Sequence, residues 1–477
     1  MRNPINIRKF APALLALLAL ATITPVLRAA EADELKLLRE QLRALEQKIL
    51  VLERKQELKD EAAAAAPKPV AVTAGAGGFS ITSADKSFDL KLRALFQFDA
   101  RFFLDDGAPN RDQFLLRRIR TPFTGTVAGI YDFNITPELG GGTNSSTTVA
   151  LWDAFAAARF SPALGVRVGK FPSAVGLEPG SNRHFIESPF VNSLLPNRDL
   201  GAEIFGAFPG GYADYRLGVF TGVPNNTTNF GGASPDLNDG DKTVAGRLTV
   251  TPFKNLEDSA LAKLSVGFGF SHGNEQGVAG ANLSNGLSNI SSQAQQAIFS
   301  YGATLFAAGT HARLSPSLEW YPGTPLSAVA EYARDRQEIS VTAAGPVQTF
   351  TNSAWRANIG YVLTGEEATK SGVTPKQPFN FSAGTWGAFE IVARVSGLEL
   401  DGNFFQPVTT GGAGLNRANN VESAFAYGLG LNWYFNRNFR FLLNLENTEY
   451  DGAKTATAAV GARDDELALI TRAQLSF

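Results

Sequence analysis

From Ser87 to Phe103 the chain reads SFDLKLRALFQFDARFF. Phe88, Leu90, Leu92, Ala94, Phe96, Phe98, Ala100 and Phe102 are all apolar, and Asp89, Lys91, Arg93, Gln97, Asp99 and Arg101 fall between them. Side chains alternate across a β-strand, so this segment predicts a strand with one apolar face and one charged face. A soluble sheet can hide such a face in a core, and a single strand decides nothing. Recurrence does decide. From Lys86 onward, segments of about ten residues repeat the alternation between turn residues, the signature of an outer-membrane β-barrel.

The predicted strands lie near 87–103, 112–121, 125–135, 148–160, 165–171, 200–208, 213–221, 243–252, 261–271, 311–320, 326–337, 352–364, 384–398, 421–435, 439–450 and 466–477. That makes an all-β transmembrane barrel of about sixteen antiparallel strands, an even number that leaves both ends on the periplasmic side. Two places leave the number open, with fourteen or eighteen as alternatives: Thr121–Thr124 can fall inside one long strand, and Gly365–Ala383 is long for a periplasmic turn. In the last segment Leu467, Leu469, Ala473, Leu475 and Phe477 oppose Glu466, Arg472, Gln474 and Ser476, and the chain ends on an aromatic residue. Trp320-Tyr321 and Trp433-Tyr434-Phe435 stand beside predicted turns, where a membrane-interface girdle belongs.

The N-terminal part is organised differently. Arg2, Arg8 and Lys9 precede the apolar run ALLALLALATI, with Ala29 and Ala30 after it, which predicts a cleaved secretory signal peptide over 1–30. Over 31–60, Leu35, Leu38, Leu42, Leu45, Ile49 and Leu52 advance in alternating steps of three and four, the seam of a coiled coil. Residues 61–79, EAAAAAPKPVAVTAGAGGF, lose charge and gain Ala, Pro and Gly, and are expected to form a linker before a barrel over 80–477.

Composition narrows the function classes. The 477 residues contain no cysteine, which removes disulfides, iron–sulfur clusters and thiol chemistry. A net charge of −2 argues against a nucleic-acid binder, which needs a concentrated basic surface. The three histidines, His184, His272 and His311, are far apart and show no metal-ligand or nucleophile spacing, so neither an enzyme nor a cofactor is expected.

At this level the chain resembles the phosphate-selective porin O and P family of Gram-negative outer membranes. The resemblance rests on FLLRRIRTPFTGT, LWDAFAAARFSPALGVRVGKFPSAVGLE, LPNRDLGAEIFG, YVLTGEE, WGAFEIVARVSGLELDG, YGLGLNWYFNRNFRFLLNLENTEYDG and the closing LALITRAQLSF, in that order along the barrel region. It implies a trimeric channel admitting phosphate or other small anions, with arginines down the lumen and lysines near the constriction. The helix ahead of the barrel is a known variation within the family.

The face opposite each apolar face should line the lumen. That selects Lys91, Arg93, Arg101, Arg159, Arg167, Arg216, Arg247, Arg313, Arg356, Arg394, Arg440 and Arg472. Arginine suits an anion path because its planar fork grips oxyanions and stays charged. The same criterion turns Asp89, Asp99, Asp153, Glu203, Glu319, Glu331, Glu390, Glu446 and Glu466 inward, so each arginine is equally a candidate for a wall ion pair. Pro172–Asp199 is the expected inward-folding loop, with Lys170 and Arg183 facing the anion and Arg198 clamped to Asp199. Arg117, Arg118 and Arg120 fit either the eyelet or lipopolysaccharide at the rim. Expected partners are small anions, outer-membrane lipid and lipopolysaccharide, further copies of the chain, and the cell wall or another periplasmic partner through 31–60. A porin for other solutes, or a barrel that anchors a structural tether, are the alternatives.

Overall fold

The structure, a computed structural model, describes residues 27–65, 70–104, 112–140, 149–177, 184–227, 240–256, 259–280, 285–342, 345–452 and 465–477. Most of the expected signal peptide, and Arg183, lie outside the described residues. The chain divides into two units, 1–69 and 70–477.

The first unit holds one helix, α1 (Leu27–Ala65), longer at both ends than the expected 31–60. Leu35, Leu38, Leu42, Leu45, Ile49 and Leu52 are all exposed along it. No described helix is long and apolar enough to cross a membrane.

The second unit begins with a hairpin where a linker was expected: β1 (Ala71–Gly75) and β2 (Gly78–Thr82), joined at Ala76-Gly77. Composition hid the reason. AVTAG and GFSIT are short alternating strands, and Gly78 takes the φ of +98° that the tight turn needs.

Sixteen antiparallel strands then close a barrel. The first is built from β3 (Asp89–Leu92) and β4 (Leu95–Phe103), the second from β5 (Gln113–Arg120) and β6 (Phe123–Val127). The strands β7 (Tyr131–Glu138), β8 (Ala150–Ser161), β9 (Leu164–Pro172), β10 (Arg198–Ala207), β11 (Ala213–Phe220), β12 (Thr243–Val250) and β13 (Leu264–Gln276) follow in order. After a small interior hairpin, β14 (Ile290–Ser291) and β15 (Ala297–Phe299), the wall resumes with β16 (Phe306–Trp320), β17 (Leu326–Ser340), β18 (Val347–Val362) and β19 (Ala388–Glu399). It ends with β20 (Val421–Tyr434), β21 (Phe439–Gly452) and β22 (Asp465–Ser476). Closure comes from β22 on β4, in register from Ala468 opposite Phe103 to Ser476 opposite Leu95. A closed sheet leaves no wall strand with unpaired backbone, which is what allows strands to cross lipid.

The expected turn at Thr121–Thr124 does not form. Pro122 lies between β5 and β6, its carbonyl accepting from the Arg93 amide, and the chain turns instead at 128–130. Proline reads as a turn in sequence, yet here it sits at a break in the ladder where its missing N–H costs nothing. Because β3 runs below the end of β22, its outer edge would be bare; β2 pairs with it, Phe79 opposite Leu92 through Thr82 opposite Asp89. Asn438 fixes the hairpin by donating to the Ala76 and Ser476 carbonyls, each at 2.7 Å.

Outward positions such as Val168, Leu217, Val219, Val266, Phe268, Ile359, Ile391 and Leu429 form an exposed apolar band, as lipid requires. The connections at one end are mostly short, as at 162–163 and 435–438, with 363–387 between β18 and β19 the long exception. Those at the other are mostly long, at 173–197, 277–305 and 400–420. The described parts of these three long loops turn into the lumen and build an apolar plug, in which Phe350 stacks on Phe404 at 4.1 Å and Phe299 meets Phe404 at 5.3 Å. Beyond the predicted strand end at 271, β13 runs on to Gln276, and the described part of the loop after it packs inside.

Candidate functional site

The inward loop 173–197 is held by the wall from several sides. Arg216 donates to the Pro172 carbonyl at 2.6 Å, Arg247 to that of Val175 at 2.9 Å, Arg472 to that of Ile186 at 2.7 Å and Arg394 to that of Glu187 at 2.8 Å. The Leu177 amide donates to Glu331 and the Ile186 amide to Asn444, each at 2.7 Å. Gly269 makes the approach possible: a Cβ there would stand 1.8 Å from the Val175 carbonyl oxygen. The expectation that this segment folds inward holds. Its wall contacts are largely made through backbone carbonyls, which no sequence pattern shows.

Glu187, at the tip, is the hub. Arg101 reaches it at 2.7 Å, Arg117 grips both oxygens at 2.7 and 3.1 Å, and Arg472 stands at 3.2 Å. Arg472 also forks onto Asp99 at 2.6 and 2.7 Å. Bidentate pairs of this kind fix geometry as well as charge.

Beside the hub lies a cavity of about 240 Å³. One side is the arginine triplet Arg117, Arg118 and Arg120 of β5. Strict alternation would turn Arg118 and Arg120 inward and Arg117 outward. The ladder instead skips Arg117, pairing Gln97 with Arg118 and Phe98 with Leu116. That β-bulge aims all three into the lumen. A second register shift, between Thr136 and Pro137, leaves Trp152 as the extra residue of β8. Its ring lies between the guanidinium groups of Arg120 and Arg198, at 3.5 and 4.0 Å from the ring centre.

The triplet is unevenly neutralised. Arg120 pairs with Glu138 at 2.5 Å and Arg117 with Glu187, but among the described residues Arg118 donates only to the Gln97 amide oxygen, at 2.9 Å. Gln97 in turn donates to Gln474 at 2.8 Å, and Arg440 donates to the same Gln474 oxygen at 3.0 Å. Arg440, Gln474, Gln97 and Arg118 are cross-strand neighbours on β21, β22, β4 and β5, a row in which two arginines share two amides and no carboxylate. In the hub and triplet together, Arg101, Arg117, Arg118, Arg120 and Arg472 face Asp99, Glu138 and Glu187, five positive groups against three negative.

Other expected site residues sit elsewhere. Lys91 pairs with Asp89 at 2.7 Å, Arg93 lies exposed at the break between β3 and β4, and Arg159 pairs with Asp132 at 2.7 Å. Arg167 and Arg216 converge on the buried Glu203, with Arg167 also stacked 4.3 Å over Phe171. Arg356 pairs with Glu331 at 2.9 Å, and Arg394 with Glu446 at 2.6 Å. Arg313 is buried beside Glu275, His311 and Asp335 and donates to the Val223 carbonyl. Lys170, expected to face the anion, is buried and donates to the Leu151 carbonyl at 2.6 Å. Arg198 is a clamp, but onto Asp153 at 2.8 Å rather than onto Asp199. Most inward arginines therefore serve the wall. Arg117, Arg118 and Arg120, left between two roles by the sequence, line the cavity.

His184 Nε2 stands 2.9 Å from Ser327 Oγ and 4.0 Å from Glu390. Ser327 is fully buried, and serine and glutamate meet the same ring nitrogen. Gly360 packs directly against all three side chains.

The description of the phosphate-selective porin O and P family matches residues 88–477. The chain belongs to that family. As a member of the porin O and P family it is an outer-membrane porin of Gram-negative bacteria. No curated protein matches the chain. Among solved structures it is similar to the outer-membrane channel DcaP of Acinetobacter baumannii, with a TM-score of 0.48, 11% identity and coverage of 84% of this chain and 100% of that one. It is also similar to an anion-selective porin from Comamonas acidovorans, with a TM-score of 0.48, 10% identity and coverage of 82% and 100%. Pseudomonas putida OprB at high pH gives a TM-score of 0.49, 13% identity and coverage of 82% and 95%.

Proposed function

We propose that this porin passes small anions, phosphate or polyphosphate among them, by passive diffusion past Arg117, Arg118 and Arg120. The observation that carries the reading is Arg118, a lumen guanidinium whose only described partner is a neutral amide. A charge left without a counter-ion on a lumen wall attracts mobile anions and raises their local concentration. Arg101 and Arg472 add to the same field through the hub, and Arg440 through the glutamine row. Lys91, Arg93, Arg159, Arg167, Lys170, Arg216, Arg247, Arg313, Arg356 and Arg394 belong to this reading as wall supports or as distant contributors to the field, not as contacts of the anion.

The assay is planar-bilayer conductance of the refolded protein. Chloride current blocked by low phosphate supports a phosphate site; an anion-preferring current without block removes phosphate specificity and leaves the anion channel.

The same reading takes the porin as a homotrimer in outer-membrane lipid and lipopolysaccharide. Residues 1–30 are a signal peptide, and 31–60 form a periplasmic coiled coil that reinforces the trimer or touches the cell wall. The exposed leucine seam of α1 favours this, since an apolar stripe at that spacing needs partner helices to cover it. Deleting 31–60 separates the roles: lost envelope attachment with unchanged permeability assigns the helix to tethering.

A further inference from the structure

The cavity beside Arg118 has a second kind of lining. Away from the arginines it is walled by Ser188, Asn192 and Ser193 of the inward loop, and by Ser291, Ser292 and Gln295 of the loop around β14 and β15. None of these carries a charge. Among the described residues the Asn192, Ser193, Ser291 and Gln295 side chains make no hydrogen bond, and Asn192 is only 9% exposed. An amide that is nine-tenths buried and lines the cavity takes its hydrogen-bond partner from what the cavity holds, water or a solute.

We propose that this cavity is a recognition site for a hydroxylated organic anion, a sugar phosphate or sugar acid, in preference to a bare oxyanion. The proposal rests on the anion-channel reading and names the substrate class of the same site. Amides and hydroxyls both donate and accept, and so do the hydroxyls of a polyol. A fully ionised oxyanion only accepts, so it leaves the carbonyl oxygens of Asn192 and Gln295 unmatched. The anionic group sits at Arg118, and the hydroxyls run along the serine and amide lining. A site that bonds substrate hydroxyls rejects an analogue lacking them, because its own polar groups are then left unpaired. The size agrees. At about 240 Å³ the cavity falls just below the ~300–1,000 Å³ of drug-sized ligand pockets, enough for a six-carbon acid.

The test compares two six-carbon carboxylates of equal charge, gluconate and hexanoate, as blockers of chloride current through the full-length protein in planar bilayers. Gluconate is expected to half-block at a concentration at least about tenfold lower than hexanoate. Asn192→Ala is expected to erase that difference. Ser193→Ala, at a half-buried position, gives the same comparison if Asn192→Ala does not fold. Equal block by the two acids in an anion-preferring wild-type channel overturns the recognition site and spares the anion channel. A difference that survives both substitutions overturns the assignment to this lining. A channel without anion preference overturns the anion reading, and the recognition site with it.

Discussion

Gly269→Ala tests the seating of the inward loop. The new Cβ would lie 1.8 Å from the Val175 carbonyl oxygen, 2.7 Å from its carbon and 3.0 Å from its Cα. All three are backbone atoms, so no side-chain rotation relieves the clash. Ordinary contact between nonbonded heavy atoms begins at about 3.5 Å, so the loop must retreat by roughly 1.5 Å at Val175. Overpacking of this kind costs about 1–3 kcal/mol. Retreat also lengthens the 2.9 Å bond from Arg247, a charged hydrogen bond contributing about 1.5–3 kcal/mol. The urea midpoint of the folded barrel should fall accordingly, and single-channel conductance should change, since the same loop carries Glu187 and Asn192. Gly75→Ala, where nothing lies within 4 Å, is the control and should leave both unchanged. An unaltered midpoint and conductance for Gly269→Ala would refute the placement of the loop against β13.

Arg118→Gln removes one of the two surplus positive charges, and the reversal potential in a KCl gradient should fall by roughly half with little loss of stability. Glu187→Gln takes from Arg117 its described carboxylate and leaves Arg101 and Arg472 with Asp99 alone, so stability should drop by about 3–5 kcal/mol in denaturant titration while the remaining folded channels become more anion-selective. Leu38→Glu with Leu45→Glu should weaken self-association of an isolated 31–65 peptide, read by sedimentation, whereas an unchanged mass would reject the coiled coil. In the turn between β2 and β3 the Ser83 hydroxyl, with the amide and hydroxyl of Ser87, holds the Asp85 carboxyl down at about 2, against an ordinary 3.8. Its stabilisation of the turn is therefore full above about pH 4 and lost as pH falls through about 2. Exchange of the Ser87 amide should accelerate over that window, and a flat profile would contradict the bond.

The barrel was legible because two-residue alternation survives even where a strand is broken. It placed sixteen strands while misreading Pro122 as a turn, and composition concealed the 71–82 hairpin. For the site, alternation says which way a side chain points and nothing about what it meets there. It turned Arg472 and Arg394 inward correctly, but not onto Asp99 and Glu446. The bulge at Arg117 breaks the alternation on which any register rests, so the triplet could not be placed from sequence. Asn192, Ser193 and Gln295 carried no signal, because a polar residue in a long loop looks the same whether the loop faces outward or folds into a lumen.

The anion preference of the lumen is assigned to Arg118, the β5 arginine with no carboxylate among its described partners. Reversal potential of the wild-type channel in a tenfold KCl gradient measures it most directly. The account predicts a potential displaced toward the chloride equilibrium value, whose limit is about 59 mV for a tenfold ratio. A potential displaced toward the potassium value would mean that the buried carboxylates dominate the lumen, and would contradict it.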